Sequence, residues 1–205
     1  EQNRQGRITG SGEETLVIDS EITPAAARAL VSDLKAITDK PVRYVVDSHY
    51  HYDHLQGLPF FAPLAEPQNR FVFHGPRREG RSVQDVLEGQ MVPPYFPVTL
   101  DKLARATLEF RSIEPGEPFA IGGVHISSTD LDHPGGSLGY RLEYGGRTLV
   151  YATDVEHTER PAEALIELAR GADVLVHDAM YSGDEYEERR GWGHSTWAGA
   201  LATAE

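Results

Sequence analysis

The chain contains no cysteine, which excludes disulfides, a cysteine nucleophile and any thiolate ligand for a metal. It has no run of about 18 apolar residues, so no segment reads as a membrane span. Residues Glu1 to Gly10 are polar and carry no apolar signal core. Cations are scarce: 19 Lys and Arg stand against 32 Asp and Glu, a formal net charge of −13. Affinity for phosphate backbones comes from Lys and Arg displacing counterions, so general nucleic-acid binding is not expected. A small phosphorylated substrate held by a local positive site remains compatible with that charge. The expected partner is therefore a small-molecule substrate rather than a membrane; a homodimer is an option, with the loop 91–103 serving either a dimer contact or a pocket wall. The expected location is the cytoplasm.

What is present is ordinary for a folded domain: 205 residues, 40% of them hydrophobic and 25% charged, near the globular average. Length alone suggests one domain, 1–205. Leu16 to Asp19 and Val42 to Val46 read as strands, the second buried on both faces. Between them Thr23-Pro24 suits a helix N-cap and first turn, and Ala26, Leu30, Leu34 and Ile37 form one apolar stripe. Phe71 to His74, Leu108 to Ile113 and Val124 to Ser128 read as further strands, and Ser82 to Gly89 as a short helix. Apolar residues alternate from Leu138 to Tyr144, and Gly145-Gly146 is a two-residue hairpin turn into Arg147 to Ala152. Pro161 to Arg170 is a helix closed by Gly171, Val174 to Val176 a buried strand, and Ser195 the cap of a last helix. Mixed strands and helices of this kind imply a layered α/β or α+β sandwich.

The nine histidines are the unusual feature. Residues 45–54 read Val-Val-Asp-Ser-His-Tyr-His-Tyr-Asp-His, an HxHxDH pattern directly after a strand. In extended chain two histidines two apart point the same way, so His49 and His51 can reach one cation. Asp53 and His54 follow where the chain turns, which allows a second cation nearby. Nitrogen and oxygen donors without sulfur suit Zn²⁺, with Mn²⁺ or Fe as options. A divalent ion lowers the pKa of bound water toward ~7, so hydroxide is accessible at neutral pH.

This pattern resembles the signature of the metallo-β-lactamase fold superfamily. Later segments resemble that family in order: Asp132-His133-Pro134-Gly135-Gly136-Ser137, Ala152-Thr153-Asp154, Val176-His177-Asp178-Ala179 and Gly193-His194-Ser195-Thr196. The last two are similar to motifs of its phosphodiesterase branch, which includes tRNase Z and cyclic-phosphodiester hydrolases. Ile18 to Tyr52 is more similar to lactamase-like hydrolases. The resemblance implies an αββα sandwich. It implies that His49, His51 and His133 hold a first metal, that Asp53 and His54 hold a second, and that Asp154 bridges them. Asp53 and His194 would take part in the chemistry, His194 as proton donor to the departing alkoxide, with Asp178 or another carboxylate orienting it. Read from position alone, Asp47, just before the motif, could brace a ligand histidine, and His177, at a strand end, divides evenly between bracing a ligand and a structural role. The family's final strand and its histidine have no counterpart after His194. Either terminal elements are lacking or the second metal site is weakened.

Three activities are compatible with these motifs. The favoured one is hydrolysis of a small, cyclic or linear, phosphodiester by metal-held hydroxide. The others are hydrolysis of a lactone, thioester or β-lactam at the same site, and metal binding with little turnover. Of the remaining histidines, His74 and His125 read as structural, and His157 as mainly structural. Tyr50 and Tyr52 alternate with the ligand histidines and are expected to point into packing. Tyr95 and Phe96, set among prolines, could line a pocket rim but read first as core.

Overall fold

The computed structural model describes residues 7–9, 14–19, 24–157 and 161–205; side chains of 7–9, 24–28, 30, 31, 52 and 53 lie outside that description. Contacts divide the chain into two units, Glu1–Ile113 and Glu114–Glu205. Among the described residues no helix is long and apolar enough to cross a membrane.

The first unit holds β1 (Arg7–Thr9), β2 (Thr15–Ile18), α1 (Pro24–Ile37), β3 (Val42–Val46), α2 (Tyr52–Leu55), β4 (Arg70–Pro76), α3 (Val83–Gln90), α4 (Leu100–Leu103) and β5 (Thr107–Ile113). Its sheet has the order β1-β2-β3-β4-β5. β1 runs antiparallel to β2, and the pairs from β2 to β5 are parallel. Parallel strands need crossover segments, and α1 is the one between β2 and β3. Residues Leu55, Leu58, Phe61, Leu64, Phe71, Phe73, Leu87 and Met91 form the buried core. α3 starts at a capping box in which Ser82 and Asp85 satisfy each other's backbone N–H.

Two expectations change here. Ile37 is 67% exposed rather than part of a buried stripe, because it sits in the last turn where α1 ends. Leu34 is buried; Thr23, Ala26 and Leu30 lie outside the described residues or side chains. β3 buries only Val45 and Val46 fully, so its first half is not covered on both faces.

The second unit holds β6 (Phe119–Ile121), β7 (Val124–Leu131), β8 (Ser137–Tyr144), β9 (Arg147–Ala152), α5 (Glu163–Ala169), β10 (Val174–His177), α6 (Gly183–Glu187) and α7 (Trp197–Ala204). Its sheet order is β10-β9-β8-β7-β6, with β10 parallel to β9 and the other pairs antiparallel. Gly145 and Gly146 take φ of 56° and 74°, the positive values that a two-residue hairpin needs. Leu131, Val150, Ala152, Val155, Leu165 and Leu168 form a core under α5.

β10 is an edge strand, so Val174 is exposed and the strand is less buried than its apolar sequence suggests. Ser195 is not the cap of α7; Thr196 is, accepting from Gly199 N at 3.1 Å. Ser195 Oγ instead donates to Val155 O at 2.5 Å.

His74 is buried in β4, and burial, helped by Arg111, pushes its pKa down from 6.5 to about 4. The folded protein therefore keeps His74 neutral where the unfolded chain would protonate it. Stability from this group is present above pH 6.5 and is lost as pH falls toward 4. In urea denaturation, His74→Gln should reduce the acid-side slope between those values, by a total of about 1–3 kcal/mol. An unchanged slope would contradict this assignment.

Candidate metal centre and acid pair

In the first unit the histidine motif begins where β3 ends. The His49 ring centroid lies 4.7 Å from that of His51 and 4.0 Å from that of His54. His49 and His54 are buried, whereas His51 is exposed. His49 belongs with His51 to one group of donors that could hold a metal ion, and with His54 to another. The Asp53 side chain lies outside the described residues.

Asp19, which the sequence reading passed over, organises this cluster. It follows β2 with φ of 57°, a left-handed position that asparagine and aspartate tolerate better than most residues. Its carboxylate accepts Ser48 N at 2.8 Å and Ser48 Oγ at 2.9 Å, and lies 3.2 Å from His54 Nδ1. Ser48 Oγ is in turn 3.1 Å from His49 Nδ1. Contacts at Nδ1 leave the Nε2 side of each ring as the outward donor, the arrangement by which a carboxylate orients a metal-ligating histidine. Asp47, expected behind the ligands, is buried; burial and the nearby Asp19 charge raise its pKa well above the ordinary value. The only advance signal for Asp19 was its position at a strand end.

In the second unit Asp154, Asp178 and His194 each offer one ligand atom, and these atoms lie within 4.8 Å of one another. Asp154 follows β9, again with φ of 57°, and Asp178 follows β10. Asp178 Oδ2 lies 2.6 Å from His194 Nδ1, and Asp154 Oδ1 lies 3.8 Å from the same nitrogen. The oxygen and nitrogen donors fit a borderline or hard divalent ion. His133 sits in the turn between β7 and β8, its ring centroid 5.5 Å from that of His194. Its Nδ1 donates to Gly193 O at 2.7 Å, which turns Nε2 outward. Gly193 has φ of 85°, and a Cβ there would collide with the His133 ring and with Pro134. Only glycine permits this approach.

Glu156 was also missed. Its carboxylate accepts Tyr186 OH, Gly191 N and Gly193 N, each at 2.8 Å. Burial pushes its pKa up, but those three hydrogen bonds outweigh burial and hold it below the ordinary value. His157 and His177 pair with each other, Nε2 to Nε2 at 3.0 Å, and both contact Thr203 Oγ1. His177 Nδ1 donates to Asp178 O at 2.6 Å, so it touches the acid pair through backbone. Burial lowers the pKa of both rings, that of His157 to about 4. His125 is exposed on β7. Tyr50 OH donates to Pro76 O at 2.5 Å, a packing role. Phe96 meets the edge of Phe60 and Tyr95 is exposed.

Comparison with known proteins decides the family. A model described as "Beta-lactamase superfamily domain" matches residues 17–205. The chain belongs to that family. A ribonuclease Z of Haloarcula marismortui is 23% identical over 193 residues, 73% of this chain and 61% of the relative. The chain thus spans about three-fifths of that relative's length. Among solved structures, Zn²⁺-bound PqqB from Methylobacterium extorquens superposes with a TM-score of 0.67 at 18% identity, covering 97% of this chain and 71% of that one. A diphosphatase of the PhnP family superposes with a TM-score of 0.66 at 20% identity, covering 97% and 66%. The fold is that of the metallo-β-lactamase proteins.

Asp19→Ala would leave the buried Ser48 donors facing no acceptor at that position. It should cost about 2–4 kcal/mol in urea denaturation. A loss below about 0.5 kcal/mol, the range of ordinary surface substitutions, would show that Asp19 does not organise the cluster.

Proposed function

We propose that this chain is a metal-dependent hydrolase of small phosphodiesters, cyclic ones included, with zinc as the metal. The observation that carries the proposal is the hydrogen bond from His194 Nδ1 to Asp178 Oδ2. A carboxylate at Nδ1 stabilises the imidazolium and sets the ring so that Nε2–H can be given away. An alkoxide leaving a phosphodiester needs such a proton, whereas a thiolate leaving a thioester does not. The family relation to ribonuclease Z and the likeness to a diphosphatase support phosphoester chemistry. The net charge of −13 favours a small substrate over a long nucleic acid.

A bound divalent ion would supply Lewis acidity and an acidified water. The residues proposed to hold metal are His49, His51, Asp53 and His54 of the first unit and His133 and Asp154 of the second. The chain's own groups do the rest. Asp19 and Ser48 fix the rings of His54 and His49. Gly193 O fixes His133. Asp178 orients His194, whose Nε2 proton passes to the departing oxygen.

The test compares two leaving groups. With an alkyl phosphodiester, His194→Ala should lower kcat about 10²–10⁴-fold. With bis-p-nitrophenyl phosphate the loss should be smaller, because p-nitrophenolate departs without a proton. Bound metal, measured on the same samples, should be unchanged. Equal losses on both substrates would remove the proton-donor role. Wild-type turnover of a lactone, thioester or β-lactam but of no phosphodiester would overturn the substrate class.

A further inference from the structure

We propose that Glu156 is a positioning residue that locks His133 and His194 into one rigid loop; this deepens the hydrolase reading above and rests on it. The carboxylate and the backbone of Glu156 close a circuit around His133. Glu156 N donates to Asp132 O at 2.7 Å, directly before His133. Glu156 Oε2 accepts Gly193 N at 2.8 Å. Gly193 O then receives His133 Nδ1 at 2.7 Å. One residue thus holds the chain on both sides of the imidazole.

The same carboxylate uses its other oxygen. Oε1 accepts Gly191 N and Tyr186 OH, so both ends of the 191–193 segment are tied to one planar group. The neighbouring residue adds a fourth tie, since Val155 O accepts Ser195 Oγ. His194 lies between the tied residues Gly193 and Ser195. Asp178 then orients its ring. Glu156 is itself 8% exposed and two residues past Asp154, so it also anchors the segment leaving β9.

A carboxylate suits this task because it only accepts. All three donors face it at 2.8 Å, and each finds a lone pair. Glutamine keeps the shape but presents an amide N–H₂ to at least one of those donors. That donor is then opposed rather than bonded, and the loop loosens without any change in volume.

Glu156→Gln tests this by amide hydrogen exchange and by ¹⁵N chemical shifts of labelled histidine in the full chain. Protection of Gly191 and Gly193 should fall at least about tenfold, the loss of one hydrogen bond's worth of local opening. The His133 Nδ1 shift should move, while protection of Val150 and Ala152 in β9 stays the same. A uniform loss that includes β9 would reduce Glu156 to a general stabiliser and overturn the proposal. Unchanged Gly193 exchange and an unchanged His133 shift would do the same. If the variant does not fold, wild-type protein decides: Gly193 exchanging as fast as an exposed loop contradicts the clamp, and slow exchange matching β9 supports it. These readouts need no substrate, so they separate failure here from failure of the hydrolase reading. On an active enzyme, Glu156→Gln should lower kcat about 10–100-fold with KM nearly unchanged.

Discussion

The hydrogen bond from His194 Nδ1 to Asp178 Oδ2 is short, 2.6 Å, and everything around it serves to keep it so. Asp178 is placed by the sheet, its N–H donating to Ala152 O where β10 runs beside β9. Its other oxygen accepts Met180 N at 3.1 Å, which sets the carboxylate plane. On the histidine side, Tyr181 N donates to Ser195 O and Ser195 Oγ donates to Val155 O. Rotating the carboxylate would break the Met180 bond, and the backbone next to His194 is held at Ser195. In the proposed hydrolysis a preoriented acid of this kind would lower the reorganisation needed when charge develops on a leaving group.

Acids recur at the carboxyl ends of parallel strands in both units. Asp19 follows β2 and Asp47 follows β3; Asp154 follows β9 and Asp178 follows β10. Ends of parallel strands are where open α/β sheets place their ligands, because side chains there leave the hydrogen-bonded ladder yet stay rigidly based. Burying a carboxylate costs several kcal/mol unless donors replace its water. Asp19 meets that condition through Ser48, and Glu156 through Tyr186 and two glycine amides. The left-handed backbone at Asp19 and Asp154 is a further local cost, of the sort that gathers at functional positions.

Much of the fold was legible because its strands are apolar runs bounded by turns. Phe71 to His74 and the hairpin at Gly145-Gly146 appear where the pattern puts them. The three-residue strands β1 and β6 were not legible, being too short to show any period. The cap of α7 was misplaced by one residue: Ser195 and Thr196 have equal local aptitude, and the tertiary contact of Ser195 with Val155 decides between them. At the site, clustering made His49, His51 and His54 readable, and order along the chain made His133, Asp154, Asp178 and His194 readable through resemblance. Asp19 and Glu156 are single acids whose partners lie 29 to 37 residues away. No local spacing announces them; only the folded backbone does.

Metal content per chain is the most direct test of whether these residues form a metal centre. Elemental analysis of purified, dialysed protein should give about one to two divalent ions per chain, zinc foremost. Replacing His49 or Asp154 by alanine should lower that number. Protein that is folded, supplied with zinc and still free of bound metal would contradict the metal-dependent hydrolase outright.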